Sequence, residues 1–393
     1  MAKFETQVGI IGAGPAGLML SHLLHLHGIE SIVLETRTRP YCEERVRAGV
    51  LEHTSVEMLR AAGVAERLEK ESLRHCGIDL GLHGQRHHIS FLELTGKTVT
   101  VYGQQEVVKD LIARRLGDGG DLRFECGHVS LHDFLSGRPH VRVENGGATD
   151  TIHCDYIAGC DGAHGVSRSC LPSGAHAIYE RTYPFAWLGV LTEAAPSREE
   201  LLYMYHERGF ALYSMRSPHI TRLYLQCKPD EDLSQWSDDR IWSELMTRLG
   251  CSDGWRPTEG RILQKSVTGM HSFVVEPLQC GRLFLAGDAA HIVPPTGAKG
   301  MNLAFADVYY LAEALRTRYR ENDQTKLAAY SSRCLTRIWS AQRFSWWMTS
   351  LLHLFDDTTP FDRKRQQAEL QYVMRSKAAA TSLAENYVGL PFA

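Results

Sequence analysis

The sequence predicts an α/β (α+β) fold: one discontinuous α/β domain, a β-rich domain inserted into it, and a helical C-terminal region. Three observations predict it. The chain opens on a strand, a glycine-rich turn, a helix and a second strand; residues 179–270 change to short alternating runs; and a further strand and polar turn begin at Arg282, ahead of a stretch rich in helix formers and aromatics. The expected spans are 1–178 and 271–350 for the two parts of the discontinuous domain, the latter including the interface. The insertion is expected over 179–270 and the helical region over 351–393.

Each element follows from its residues. Gln7–Ile11 is a short apolar strand that runs into Gly12-Ala-Gly14-Pro-Ala-Gly17. Leu18–His27 has helical apolar spacing and stops at Gly28, a natural C-cap, before the strand Ser31–Glu35. In such a unit Gly12 permits the tight turn, Gly14 lets backbone approach a pyrophosphate, and Gly17 allows close helix–strand packing. The helix start offers amides and dipole to phosphates, and an acid at Glu35 suits ribose hydroxyls. This is a Rossmann-like dinucleotide site, which by itself does not choose between FAD and NAD(P). Asp155–Gly165 is another apolar strand and polar turn, containing Asp161. In the middle, Phe210–Arg216 and Thr221–Cys227 flank Pro218 as two strands and a turn. Ile241, Trp242, Leu245, Met246 and Leu249 form one helical stripe, read as core packing. Arg282–Ala286 is a strand that ends in Gly287-Asp288, placing a carboxylate at a sheet's carboxyl edge. After a Pro/Gly-rich loop a helix starts near Gly300, with Met301, Ala304, Phe305, Val308 and Leu311 on one face.

The composition is that of an ordinary globular chain of 393 residues, 44% hydrophobic and 23% charged, with formal net charge −3. That balance argues against nucleic acid or an anionic membrane as the main partner. No apolar run is long enough to span a bilayer, and the N-terminus enters a strand without a signal-like segment, so a cytoplasmic location is expected. The ten cysteines include no C-x-x-C pair and read as reduced thiols. His22, His25 and His27, with His87-His88 elsewhere, have no carboxylate or cysteine neighbour to complete a metal set; no metal is expected.

Three motifs together, the Gly12–Gly17 turn, the Asp161-Gly162 turn and Gly287-Asp-Ala-Ala-His291, resemble the FAD-dependent aromatic hydroxylases. Longer stretches are similar to the 4-hydroxybenzoate 3-monooxygenase branch of that group: Arg47–Glu52, Thr98–Gln104, Phe273–Pro277, Gly287–Asn302, Arg343–Ser350 and Glu385–Pro391. The resemblance implies that Gly12, Gly14, Gly17, Glu35, Arg45, Arg47, Gln104, Asp161, Arg222, Asp288, Lys299, Gly300, Met301 and Asn302 serve FAD. It implies an aromatic-acid clamp of Ser214, Arg216 and Tyr224. Ser214 and Arg216, two apart in a strand, project from one face, and a guanidinium grips a carboxylate bidentately. Tyr203 would bond the substrate phenol, as would the Pro295 carbonyl; Tyr387 would pass its proton on, and His75 would deliver it to solvent. The implied reaction converts 4-hydroxybenzoate to 3,4-dihydroxybenzoate with NAD(P)H and dioxygen through a flavin hydroperoxide, as in aromatic degradation, and the implied assembly is a homodimer.

The nicotinamide site is read from Arg37, Tyr41, Arg45, His164 and Arg168. Thr36, Ala163 and His271 depart from the arginine, phenylalanine and arginine of the NADPH-specific pattern, and Arg37 and Arg39 are the nearby replacements, so the donor is NADPH or NADH. Other para-substituted benzoates, such as 4-aminobenzoate, fit the same clamp. Rival classes are a flavin reductase or oxidase that does not oxygenate, and a flavin-binding redox sensor without turnover.

Overall fold

The computed structural model describes residues 3–47, 49–145 and 147–392. Met1, Ala2 and Gly146, within the expected 1–178 span, Ala48, within the Arg47–Glu52 stretch, and Ala393 lie outside the described residues.

The strand Val8–Ile11 is fully buried, as a run with no polar side chain demands, and is the centre of a six-stranded sheet. Ser31–Leu34 and Tyr156–Gly159 flank it in parallel; Leu283–Leu285 and Asp121–Arg123 extend the sheet in parallel on either side. The register aligns Leu34, Ile11, Gly159 and Leu285 across the four central strands. The residues that follow them, Glu35, Gly12, Cys160 and the Ala286–Asp288 turn, therefore emerge along one carboxyl edge. Motifs separated by more than a hundred residues in the chain become neighbours there, where open α/β sheets bind ligands. The helix Pro15–Leu26 packs beside the long helix Gly300–Glu321, and their apolar faces join the sheet in one core.

The second sheet has eight strands, in the order 291–292, 261–276, 177–193, 220–227, 211–217, 201–205, 77–82 and 85–90. It is thus wider than a sheet built from 179–270 alone: the strand 201–205 recruits 77–82 in parallel, and 261–276 runs on toward the first domain. Its two faces divide the side chains by alternation. Leu202, Met204, Ala211, Tyr213, Met215, Leu223 and Leu225 pack on one face with the helix Asp238–Leu249, whose stripe of Ile241, Trp242, Leu245 and Leu249 is buried as expected. Tyr203 and Leu212 face the other way, toward the helices Tyr330–Leu352, Pro360–Arg375 and Lys377–Val388. Smaller sheets of four strands (3–5, 148–153, 140–145, 129–132) and three strands (50–51, 99–101, 73–75) complete the fold.

Among the described residues no helix is long and apolar enough to cross a membrane. His22 is buried with Nε2 2.8 Å from the Ala62 carbonyl, and His25 lies 3.5 Å from Asp118.

Candidate nucleotide and aromatic-acid site

At the carboxyl edge the glycine turn is shaped by contact. Gly12 has φ +102°, and a Cβ there would lie 2.5 Å from the Cys160 carbonyl oxygen; one at Gly17 would lie 2.0 Å from the Gly12 carbonyl oxygen. A Cβ at Gly14 would meet nothing within 4 Å. The backbone is therefore packed behind the turn and open in front of it. The helix begins at Pro15 with no side chain capping its first amides, so those donors are available to an anion. Glu35 accepts from the amides of Ala13 and Arg37, each at 2.8 Å, which pins the glycine turn and leaves carboxylate lone pairs for hydroxyls.

Asp288 is exposed on the same edge. Arg47 lies within its field: desolvation and the charge of Arg45 push the Arg47 guanidinium down, Asp288 and Tyr41 oppose this, and Arg222 adds to the depression. Arg45, Arg47 and Arg222 thus crowd positive charge near one acid, an arrangement that a pyrophosphate would neutralise. Gln104 opens the helix Gln104–Gly117, half-buried.

Asp161 shapes its own turn, and one of its oxygens is buried without a hydrogen-bond partner among the described residues. The other accepts from the Ser167 amide at 2.8 Å and the Ser167 hydroxyl at 2.9 Å, closing the turn onto a short helix. Burial raises its pKa. The side chain of Asn302 is likewise occupied: its oxygen accepts from the Glu52 amide at 2.9 Å, and its NH2 donates to the carbonyls of Val50 and Ala298. It ties the strand Val50–Leu51 and Glu52 to the start of the Gly300–Glu321 helix, whose own N-terminal amides no side chain caps. Gly300 has open space beside it, and Met301 is half-buried.

Lys299, which the resemblance assigns to FAD, has internal partners. It is buried; its ammonium lies 2.6 Å from a Glu52 oxygen and donates to the carbonyls of Asn386 and Tyr387. The other Glu52 oxygen accepts from Arg337 at 2.9 Å. The lysine is spent on holding the C-terminal helix.

On the second sheet, pairing sets Tyr203 opposite Leu212, Leu212 opposite Tyr224, and Ser214 opposite Arg222, so Tyr203, Ser214, Arg222 and Tyr224 share one face. Arg216 joins them: its guanidinium donates to the Ser214 hydroxyl at 2.8 Å, the Tyr224 hydroxyl at 3.3 Å and the Met215 carbonyl at 3.0 Å. Desolvation lowers its pKa, and among the described residues it forms no salt bridge. Tyr224 packs on Trp187, and Gly189 lies opposite it, where a Cβ would come within 3.2 Å of both Tyr224 and Arg222.

Tyr203 and Tyr387 are buried, with hydroxyls 2.6 Å apart. Desolvation raises both pKa values; for Tyr203, the Tyr387 hydrogen bond and the Arg216 charge work against it. Clamp and tyrosine pair are therefore within each other's field. The Pro295 carbonyl accepts from the Ala298 amide at 2.9 Å, one of its two lone pairs, and Thr296 beside it is fully buried. His75 is buried 3.3 Å from Glu200.

Toward the surface, Tyr41 is exposed between two guanidiniums, Arg37 at 5.2 Å and Arg45 at 5.7 Å from its ring centroid. His164 is exposed. Arg168 instead turns inward, bonded to the Ala163 carbonyl and stacked 4.2 Å from Phe273. Arg39 is paired with Glu43 at 2.7 Å, which leaves Arg37 the freer of the two.

Several residues escaped the sequence reading. Asp307 is buried beside His291 at 2.6 Å and accepts from the Gly287 amide at 2.9 Å, so it shapes the turn that presents Asp288. Its signal was an acid four residues from Leu303 and Leu311, on an apolar helix face. Glu52, Arg337, Glu200 and His353 carried no such local signal.

Comparison with known proteins agrees with this geometry. The family model described as FAD binding domain matches residues 5–345. A p-hydroxybenzoate hydroxylase of Acinetobacter baylyi is 48% identical over 393 residues, covering 100% of this chain and 97% of that protein. A 3-(3-hydroxy-phenyl)propionate/3-hydroxycinnamic acid hydroxylase of Comamonas testosteroni is 26% identical, over 78% of this chain and 52% of its own length. The p-nitrophenol 4-monooxygenase of Pseudomonas putida shares the fold, with TM-score 0.83 at 17% identity over 99% of both chains. A glycine cradle with uncapped helix amides, a mixed sheet bearing a half-buried arginine beside a buried tyrosine pair, and a full-length match at 48% identity place the chain in the FAD-dependent aromatic hydroxylase family, as a flavoprotein monooxygenase.

Proposed function

We propose that the chain hydroxylates 4-hydroxybenzoate at the 3-position, giving 3,4-dihydroxybenzoate, with dioxygen and electrons from NADPH or NADH. The observation that carries the reading is Arg216, a desolvated guanidinium with two hydroxyl partners and no carboxylate. A desolvated cation without an acid is costly unless a ligand supplies the anion, and a benzoate carboxylate supplies it. The acid would anchor on Arg216, Ser214 and Tyr224, while its phenol faces Tyr203.

The residues at the carboxyl edge fit FAD: open space over Gly14, uncapped amides in the first turns of the helices that follow Gly14 and Lys299, and three arginines about Asp288. Bound there, the flavin supplies hydride acceptance and oxygen activation. The protein's part is position and proton control. Tyr203 accepts or donates at the phenol oxygen while Tyr387 holds its hydroxyl in line at 2.6 Å. Stabilising the phenolate makes the ortho carbon electron-rich, which hydroxylation needs. The aromatic wall of Trp187, Phe210 and Tyr224 excludes water from that carbon. The nicotinamide donor would dock by Tyr41, Arg37 and Arg45, and the working form would be a cytoplasmic homodimer, checked by light scattering and cell fractionation.

The deciding measurement follows nicotinamide oxidation and product across para-substituted benzoates, with NADH and NADPH separately. The expected result is strong stimulation by 4-hydroxybenzoate with matched catechol formation; stimulation by 4-aminobenzoate alone, or peroxide without catechol, would sink the reading. In Tyr203→Phe, acid binding and flavin reduction should persist while most turnover diverts to peroxide. Normal hydroxylation in that variant would remove Tyr203 from the mechanism.

A further inference from the structure

Glu200 stands three residues before Tyr203, at the mouth of the strand Leu201–Tyr205. Its two oxygens have different surroundings. One accepts from the Cys76 amide at 2.9 Å, which fixes the carboxylate against the end of the strand Leu73–His75. The other lies 3.3 Å from Nδ1 of His75 and makes no hydrogen bond within the described residues. His75 is 1% exposed and Glu200 18% exposed, so Glu200 is the more solvent-facing side chain of the pair, while its oxygen beside His75 is buried. The Glu200 charge also reaches Tyr387, where it adds to the desolvation that keeps the hydroxyl protonated. Arg198 is a cation near Glu200 and is itself ion-paired with Asp79. Glu200 thus contacts the relay at His75, acts on Tyr387 through its charge, and is partly exposed as a side chain.

We infer that Glu200 is a positioning residue of the proton relay, orienting the His75 imidazole and taking its proton on the way to solvent. This rests on the substrate reading above. When the bound phenol ionises, its proton moves to the Tyr203 oxygen as Tyr203 passes its own to Tyr387, and Tyr387 passes one toward His75. His75 then releases its Nδ1 proton to the Glu200 carboxylate and so to water: one proton leaves the phenol and one leaves the protein. Glu200 therefore governs how fast the proton leaves, not whether the phenolate is stable.

The test is stopped-flow ionisation of 4-hydroxybenzoate in the FAD-loaded protein, with phenolate read by absorbance and proton release by an indicator dye, between about pH 6 and about pH 8. Glu200→Gln should slow release about tenfold, the low end for a lost proton-transfer group, without lowering the phenolate fraction at equilibrium. Glu200→Asp should restore most of the rate, and the Glu200→Gln/His75→Gln double variant should be no slower than His75→Gln. Release within about twofold of the parent, slowing accompanied by loss of bound phenolate, or additive slowing in the double variant would each overturn the inference. A parent protein that binds the acid with no phenolate signal would instead overturn the substrate reading and this step with it.

Discussion

Two buried histidines titrate in opposite senses and give stability opposite pH dependences. His353 donates Nδ1–H to the Thr349 carbonyl at 2.9 Å and accepts from the Trp187 indole at 2.7 Å, which fixes one neutral tautomer. Burial pushes its pKa down to about 3 from 6.5. The unfolded chain therefore binds a proton that the folded one refuses, and stability present above 6.5 is lost as pH falls toward 3. His291 is the reverse. Desolvation pulls it down, but Asp307 at 2.6 Å more than offsets this and leaves it raised. Its contribution is full below 6.5 and is lost as pH rises through the folded value. Urea unfolding across pH should therefore show His353→Gln flattening the acid limb, and His291→Gln costing more at acid than at alkaline pH. A His353→Gln curve parallel to the parent's between pH 6.5 and pH 3 would refute the first assignment.

At the scale of elements, the C-terminal helix Lys377–Val388 carries Tyr387 and is fastened by charge from two distant segments. Lys299 donates to the carbonyls of Asn386 and Tyr387, Arg337 to that of Leu390 at 2.8 Å, and Glu52 neutralises both cations. In Lys299→Met the two carbonyls lose their donor and Glu52 loses one counter-ion; removing one partner from a buried pair costs about 3–5 kcal/mol. Amide exchange should accelerate through 377–392 but not in Val8–Ile11, and the bound phenolate should decline as Tyr387 drifts from Tyr203. Unchanged exchange in the C-terminal helix would show that apolar packing alone holds it. This latch was invisible in the sequence because Lys299 and Glu52 are 247 residues apart, and neither sits in a periodic pattern. What was legible rests on local geometry: the Gly12–Gly17 turn, because its backbone requires glycine, and the Ser214/Arg216 face, because strand alternation is a period of two. The recruitment of Ile78 and Leu80 beside Tyr203 was not legible, since parallel pairing leaves no turn signal between partners.

At the scale of the whole molecule, the two proposed ligand sites lie on different units that share one boundary. The nucleotide edge is built on the six-stranded sheet, and the acid clamp on the eight-stranded one, with Arg222 and the strand Arg261–Glu276 reaching between them. Binding to the folded state alone stabilises by mass action, about 2.7 kcal/mol at a hundredfold excess over Kd. For 393 residues at a typical unfolding entropy, that shifts Tm by about 3 °C. FAD and 4-hydroxybenzoate should each add such an increment. Arg216→Ala should abolish the increment from the acid and keep that from FAD, because losing charge-assisted bonds worth about 1.5–3 kcal/mol each weakens the acid by about a hundredfold without touching the glycine cradle. Thermal scans of the FAD-loaded and apo forms, with and without the acid, separate the terms. If Arg216→Ala lost both increments, the clamp would be part of the flavin's support rather than a separate site. If it kept both, the carboxylate would be bound elsewhere.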